Sequence, residues 1–384
     1  MSYLESRPQV RALRNQQIRE VANSAMGSKD VLAFWFGEAH LPTPQPIREA
    51  GAAALMSGDT FYTPNLGLPE LREDVASYLS RWHRPIAAER IAVTSSAVSG
   101  LMITLQAIAG PGDSVVAVTP VWPNLCEIPR ILGAEVVSVP LQFGADGWQL
   151  DLDRLIGAIK PGVTALMINS PNNPTGWTLS RPEQEAILAR CRAVGTWLIA
   201  DDVYERLYFR GPCAPSFLDI ADPADRVIAC NSFSKAWRMT GWRIGWATIP
   251  KELAASYAKL IEYNTSCVPG FVQSAARVAL TRCEPDVSRL IAEVAANQRR
   301  LYERLSTVDR VEMGAPAPGG MYAFFRIKGL EDSLSFCKQL VAKARVGLAP
   351  GSAFGDDSRE FVRWCIASDA GKLEAGLDRF TSYL

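Results

Sequence analysis

Between Arg90 and Thr248 the chain alternates short β-branched runs with stretches of helical character, and this alternation constrains the fold more than any other feature. The runs cover residues 91–95, 114–119, 135–140, 165–169, 197–201, 227–231 and 243–248. Near-continuous apolar runs mark strands buried on both faces, so the pattern predicts an α/β fold with a mostly parallel sheet covered by helices. In such a sheet ligands collect beyond the strand ends and at helix N-termini. With 384 residues the chain is too long for one small core and long enough for a large domain with a smaller companion.

Beyond Thr248 the strand pattern fades. Residues 270–282 and 285–306 read as helices, the second long, amphipathic and suited to bridging two domains. Residues 319–326 and 361–366 read as strands, 334–344 as a helix and 349–355 as a glycine-rich loop. At the other end, residues 1–30 are polar, with Val10, Leu13, Ile18 and Val21 loosely at helical spacing, and 31–38 read as a short apolar strand with a turn at Gly37. The proline-rich 41–46 stiffens a crossing between domains, and helices follow at 46–57 and up to Arg81. The expected division is an N-terminal arm and part of a small domain at 1–40, a large domain at 41–276 and a small α+β C-terminal domain at 277–384.

Lysine plus arginine equal aspartate plus glutamate at 40 each, so no whole-molecule field attracts nucleic acid or an anionic membrane surface. The eight cysteines include no C-x-x-C pair, which indicates neither a zinc site nor a disulfide framework. With two histidines, His40 and His83, a histidine-rich metal site and a Ser-His-Asp triad are not expected, and His40 reads as a solvated loop residue. No segment has signal-peptide character or the apolar length of a membrane span, so the expected location is the cytoplasm.

The chemistry concentrates at Asn231 to Trp246. A lysine is costly to immobilise in a tight turn between apolar runs, and burial or a cationic neighbour lowers its pKa until the free amine can attack an aldehyde. Around Lys235 stand the hydroxyls of Ser232 and Ser234, the planar fork of Arg243, and Gly241 and Gly245, which allow close backbone approach. Amine, hydroxyls and guanidinium together describe a pocket for an aldehyde that carries a phosphate, and pyridoxal phosphate is such a molecule.

Three further segments fit that pocket. Residues 94–101 open a helix whose small residues present unpaired backbone N–H groups to an anion. Trp122 stands between Pro120 and Pro123 just after a strand, where a fixed backbone holds an indole flat against a planar ligand. Asp201 ends an apolar strand, a costly place for a carboxylate unless it meets a positive charge. A protonated pyridine nitrogen supplies one and becomes a better electron sink for it. Its neighbour Asp202 reads as facing a structural partner.

Ser232-x-Ser234-Lys235 followed by Thr240-Gly241-Trp242-Arg243-Ile244-Gly245 resembles the lysine segment of the fold-type I, pyridoxal-phosphate-dependent aminotransferases of class I and II. The resemblance implies that Lys235 holds pyridoxal 5'-phosphate as an internal aldimine, with Arg243 and Ser232 on its phosphate. It extends from Gly37 to Arg363 with the motifs in family order. Asn172-Asn173-Pro174-Thr175-Gly176 is similar to the family signature whose asparagine, here Asn173, donates to the cofactor's phenolic oxygen, joined by Tyr204 of the Asp201-x-x-Tyr204 pair. Trp122 takes the place of the ring-stacking aromatic, and Ser96, Ala97 and Val98 match the family's phosphate turn, which usually has glycine where Ser96 stands. By the same match Gly37 lines the substrate pocket, Arg363 clamps the substrate carboxylate and Tyr62 reaches the phosphate of a neighbouring subunit.

The implied protein is a homodimeric aminotransferase of amino-acid metabolism. It transfers an amino group from an L-α-amino acid to a 2-keto acid in two half-reactions. Related enzymes on this fold are lyases and decarboxylases, which dependence on a keto-acid acceptor separates from transfer. A cofactor-sensing regulatory domain, as found fused to DNA-binding modules in a relative, is the distant alternative; no basic recognition helix is apparent, and no room precedes Gly37 for a winged helix. Phe36 and Trp122 favour apolar groups at the substrate end, and no second arginine is assigned to an acidic side chain.

Overall fold

The computed structural model describes residues 6–384, so the first five residues of the expected N-terminal arm lie outside the described residues. All seven predicted runs are strands of one sheet: β1 (Ile91–Thr94), β2 (Ser114–Thr119), β3 (Glu135–Pro140), β4 (Ala165–Asn169), β5 (Trp197–Asp201), β6 (Val227–Ser232) and β7 (Gly245–Thr248). Their order is β1-β7-β6-β5-β4-β2-β3. The pairs from β6 across to β3 are parallel, and β7 runs antiparallel to both β1 and β6.

Alternation along each central strand sends side chains to two different cores. In β4 Leu166 and Ile168 face one core and Ala165 and Met167 the other, and Leu198 and Ala200 oppose Ile199 in β5. Because helices cover both faces, no polar position interrupts β4 or β5 until the last residue, and each buried aliphatic side chain contributes about 1.5–3 kcal/mol. The polar residues Asn169, Asp201 and Ser232 all fall on carboxyl ends of strands.

A second sheet lies towards the C-terminus, with β8 (Val311–Glu312), β9 (Tyr322–Ile327), β10 (Ala349–Pro350) and β11 (Phe361–Cys365) antiparallel in the order β8-β9-β11-β10. Its core gathers Phe325, Trp364 and Phe380 with Phe34 from the N-terminal segment. The long helix Glu284–Leu305 packs Leu290, Val294 and Leu301 into the same core. Leu32–Ala33 pairs in parallel with Val346–Gly347, which fastens the chain start to this body.

Three expected strands lose two or more residues, 319–326 beginning only at Tyr322 and the other two, 31–38 and 243–248, giving way to other contacts. Only Leu32–Ala33 of residues 31–38 is strand, because the backbone beyond is taken by other partners: Cys365 N–H donates to the Phe34 carbonyl, and Arg363 to that of Trp35. The 243–248 run begins at Gly245, since Arg243 sits in the left-handed region at φ 53° and turns the chain. Among the described residues no helix is long and apolar enough to cross a membrane.

Candidate active site

Lys235 projects from a turn that its neighbours hold rigidly. Phe233, fully buried, packs its ring 5.1 Å from Trp237 and 5.0 Å from Trp246. The Ser232 hydroxyl donates to Ser234 Oγ at 2.9 Å and accepts from the Ser234 amide at 3.1 Å. From this base the Lys235 ammonium donates to the Gly37 carbonyl at 2.8 Å. Burial lowers its pKa to about 8; Cys365 and Glu38 oppose the shift, while the charges of Arg363 and Arg243 add to it. A β-carbon at Gly37 would overlap the Tyr322 hydroxyl and come within 3.4 Å of Lys235 Nζ, so the contact needs glycine there.

Asp201 is 3% exposed at the end of β5. Burial raises its pKa to about 7, although the Val203 amide and the Lys235 charge both favour the carboxylate. Asn169, one strand over, donates to the Asp201 carbonyl at 2.9 Å and accepts from the Asn173 amide at 2.6 Å. The Asn173 side chain in turn donates to Tyr204 OH at 3.4 Å and accepts from Arg363 Nη1 at 2.8 Å. Tyr204 OH lies 2.7 Å from Tyr322 OH, and its ring centroid is 5.7 Å from the Lys235 amine. Arg363 is 2% exposed, with its guanidinium carbon 4.2 Å from the Tyr322 ring centroid and 4.9 Å from that of Phe354. Its Nε is buried without a partner, a donor available to an incoming carboxylate.

The anion turn lies beside this group. Gly245 is in register with Thr94 on β1 and with Ser232 on β6, and a β-carbon on it would stand 2.5 Å from the Asn231 carbonyl and 2.8 Å from the Ala97 amide. Ser96 caps the helix Ala97–Ile108, accepting from the Ser99 amide at 3.2 Å, at φ 135° and ψ 164°. That region of backbone space is essentially reserved for glycine and costs a side-chain residue about 1–3 kcal/mol. Ser96→Gly is therefore expected to stabilise the protein by about 1 kcal/mol once glycine's larger unfolded-state entropy is deducted. Thermal melting checks this, and a lowered midpoint would contradict it.

The structure thus joins Lys235, Gly37, Asn173, Tyr204 and Arg363 by direct contacts, ties Asp201 to them through Asn169, and sets Ser232 and Ser96–Ala97 about Gly245. Trp122, partly buried, is held by its amide donating to the Asn173 carbonyl at 2.8 Å, and Val98 follows in the helix Ala97–Ile108. Arg243 is exposed, with Nη1 on the Thr240 carbonyl at 2.7 Å, and close enough for its charge to act on Lys235. Tyr62 stands apart at 89% exposure. Asp202 accepts from the Ser216 hydroxyl at 2.8 Å, and His40 lies 3.5 Å from Glu293. Sequence reasoning missed Tyr322, Asn169 and the Trp35 carbonyl. Of these only Asn169 left a signal, an amide ending an apolar strand one position before the Ser170-Pro171 turn.

Residues 30–380 match the family model described as aminotransferase class I and II. An aspartate aminotransferase of Thermotoga maritima is 33% identical over 93% of this chain and 92% of its own length. A valine–pyruvate aminotransferase of Mycobacterium tuberculosis is 32% identical over 92% of this chain and 91% of its own. Among solved structures, that of Thermus thermophilus aspartate aminotransferase with maleate superposes with a TM-score of 0.92 at 30% identity, covering 99% of this chain and 100% of that one.

Proposed function

The chain belongs to the class I and II aminotransferases, and on that premise we propose that it moves an amino group from an L-α-amino acid to a 2-keto acid using pyridoxal 5'-phosphate held at Lys235. The observation that carries the assignment is one buried cluster that unites the Lys235 amine with a carboxylate at the neighbouring strand end and an arginine whose Nε lacks a partner. The residues fit the cofactor. Asp201 would face the ring nitrogen, Asn173 and Tyr204 the phenolic oxygen, Trp122 the ring face, and Ser96, Ala97, Val98, Ser232 and Arg243 the phosphate. When bound, pyridoxal phosphate supplies a conjugated ring that accepts electrons released at the substrate's Cα.

The protein's own groups do the rest. Arg363 binds the substrate carboxylate through Nε and one Nη, held in plane by the Tyr322 and Phe354 rings and by Asn173. Fixing the carboxylate there orients Cα towards Lys235. An amine with a pKa near the working pH takes a proton from one carbon and returns it to another efficiently, so Lys235 Nζ serves as base and then acid.

On this reading residues 41–276 form the cofactor domain, and the segment before residue 41 supplies an N-terminal arm and part of the smaller domain made with 277–384. A second copy of the chain supplies Tyr62. Phe61, Tyr62, Met56 and Tyr263 are 83%, 89%, 86% and 90% exposed, and the 59–65 loop is tied to 266–268 by Thr63 N on Cys267 Sγ and Asn65 Nδ2 on the Ser266 carbonyl. So large an apolar exposure supports that reading.

The test is a screen of amino donors with pyruvate and 2-oxoglutarate, run on the wild type and on Arg363→Ala. The wild type is expected to require a keto acid, and the variant to raise KM for every donor by about 10²-fold or more, the loss of a charged bidentate contact. Product formation beyond one equivalent per active site without a keto acid would identify a lyase instead.

A further inference from the structure

We propose that His83, Glu205 and Cys213 form a structural binding site for a divalent d-block cation of the zinc type, behind the turn that carries Tyr204. Each offers one ligand atom, and the three atoms lie within 4.8 Å of one another. His83 Nε2 is 3.4 Å from Glu205 Oε2 and 4.0 Å from Cys213 Sγ. Ligand atoms about 2.0–2.3 Å from a tetrahedral zinc ion stand roughly 3.3–3.8 Å apart, so small rotations close the site. Imidazole, carboxylate and thiolate are the ligand types that borderline zinc takes.

Two further observations point the same way. His83 Nδ1 lies 2.7 Å from Asp219 Oδ1, and a carboxylate on the far ring nitrogen is what fixes a metal-binding histidine's tautomer and orientation. Asp219 is itself held by Arg181 and by the Ser216 amide at 3.1 Å. The second observation is Glu205, 3% exposed, whose Oε1 is buried with no hydrogen-bond partner. A buried carboxylate oxygen left in that state costs about 1–3 kcal/mol or more, which a cation would recover. The neighbouring cation does not serve it: Arg206 is taken by Glu284 and by Tyr78 OH at 2.8 Å, and stacks 4.4 Å from the Trp82 ring.

The ligands are held in place before any ion arrives. Glu205 sits in a turn closed by its amide on the Asp202 carbonyl at 2.9 Å. The Ala214 amide on the Glu205 carbonyl at 2.8 Å, and Arg206 Nε on the Pro212 carbonyl at 3.0 Å, draw Cys213 alongside. His83 follows the helix Pro69–Leu79, its amide on the Leu79 carbonyl at 2.9 Å. Binding would displace the thiol proton of Cys213 and the Nε2 proton of His83, leave His83 neutral with Nδ1–H on Asp219, and tie that helix end to the turn bearing Tyr204. No spacing in the sequence announces such a site, because its ligands are 83, 205 and 213.

The test uses the full chain, freed of metal by a chelator and titrated with zinc sulfate alone or cobalt chloride alone. One zinc per chain with a raised melting temperature is expected, and a thiolate-to-cobalt charge-transfer band that disappears in Cys213→Ser. Asp219→Asn, which reaches the ligand set only at the far nitrogen of His83, should weaken zinc binding by about 10–100-fold and leave the band's position unchanged. Absence of stoichiometric binding in the wild type would overturn the proposal, as would a cobalt band indifferent to Cys213→Ser. Either result makes the cluster an imidazolium held between two carboxylates.

Discussion

Replacing Lys235 with alanine is expected to lower the rate of amino transfer by on the order of 10⁴-fold, the upper range for loss of a positioned acid–base group. The anion turn, Asp201 and Arg363 are untouched by the change, so the variant should still bind pyridoxal phosphate and amino acid. Borohydride treatment followed by peptide mass analysis should leave the cofactor's mass on the Lys235 peptide of the wild type and on no peptide of the variant. Amino transfer at the wild-type rate would remove Lys235 from the chemistry.

The same lysine makes a second expectation, of opposite sign, for stability. Its pKa is about 8 in the folded chain against an ordinary value of 10.5. Below pH 8 the amine is charged in both states and the cost of burying it is fully present. Between pH 8 and 10.5 the folded chain has released the proton and the unfolded chain has not, so the cost falls as pH rises. Lys235→Met, which keeps the bulk and removes the charge, should therefore stabilise the cofactor-free protein by a few kcal/mol at pH 7 and by little above pH 10.5. Denaturant unfolding at the two pH values measures the difference.

How much of this was legible follows from how each contact is made. β4 and β5 match their predicted bounds residue for residue, because a strand buried on both faces is written as an uninterrupted apolar run that ends where the first polar side chain meets the ligand side. The helix Gly270–Arg282 is equally plain, bounded by Pro269 before it and Cys283 after. The pieces around the substrate are different. β10 reads as part of a glycine-rich loop, and Ala349–Pro350 becomes a strand only because β11 lies beside it. Tyr322 meets Tyr204 across 118 residues of sequence, and Arg363 meets Trp35 across 328, so no local pattern signals either contact. The strain at Ser96 is written in no local pattern, and its one trace is the resemblance that puts glycine at this position.

Asp201→Asn is expected to lower amino transfer by about 10²–10³-fold, the loss seen when one preorganised electrostatic partner is removed from a site. An amide occupies the same volume and keeps the acceptor for the Val203 amide, which lies 3.4 Å away, but carries no charge to hold a ring nitrogen protonated. Without cofactor that charge is a liability. The folded pKa is about 7 against 3.8, so below pH 4 both states are neutral and nothing is lost. From pH 4 to 7 the unfolded chain ionises first, stability falls as pH rises, and above pH 7 the full cost remains, a few kcal/mol. The cofactor-free variant should melt above the wild type at pH 8 and level with it at pH 4. Pyridoxal phosphate reverses the sign, because a cationic ring nitrogen turns the buried carboxylate into one half of an ion pair. Added cofactor should then raise the melting temperature of the wild type more than that of Asp201→Asn, by a margin that widens between pH 4 and 7. An equal rise in the two proteins at pH 8 would show that Asp201 does not face the ring.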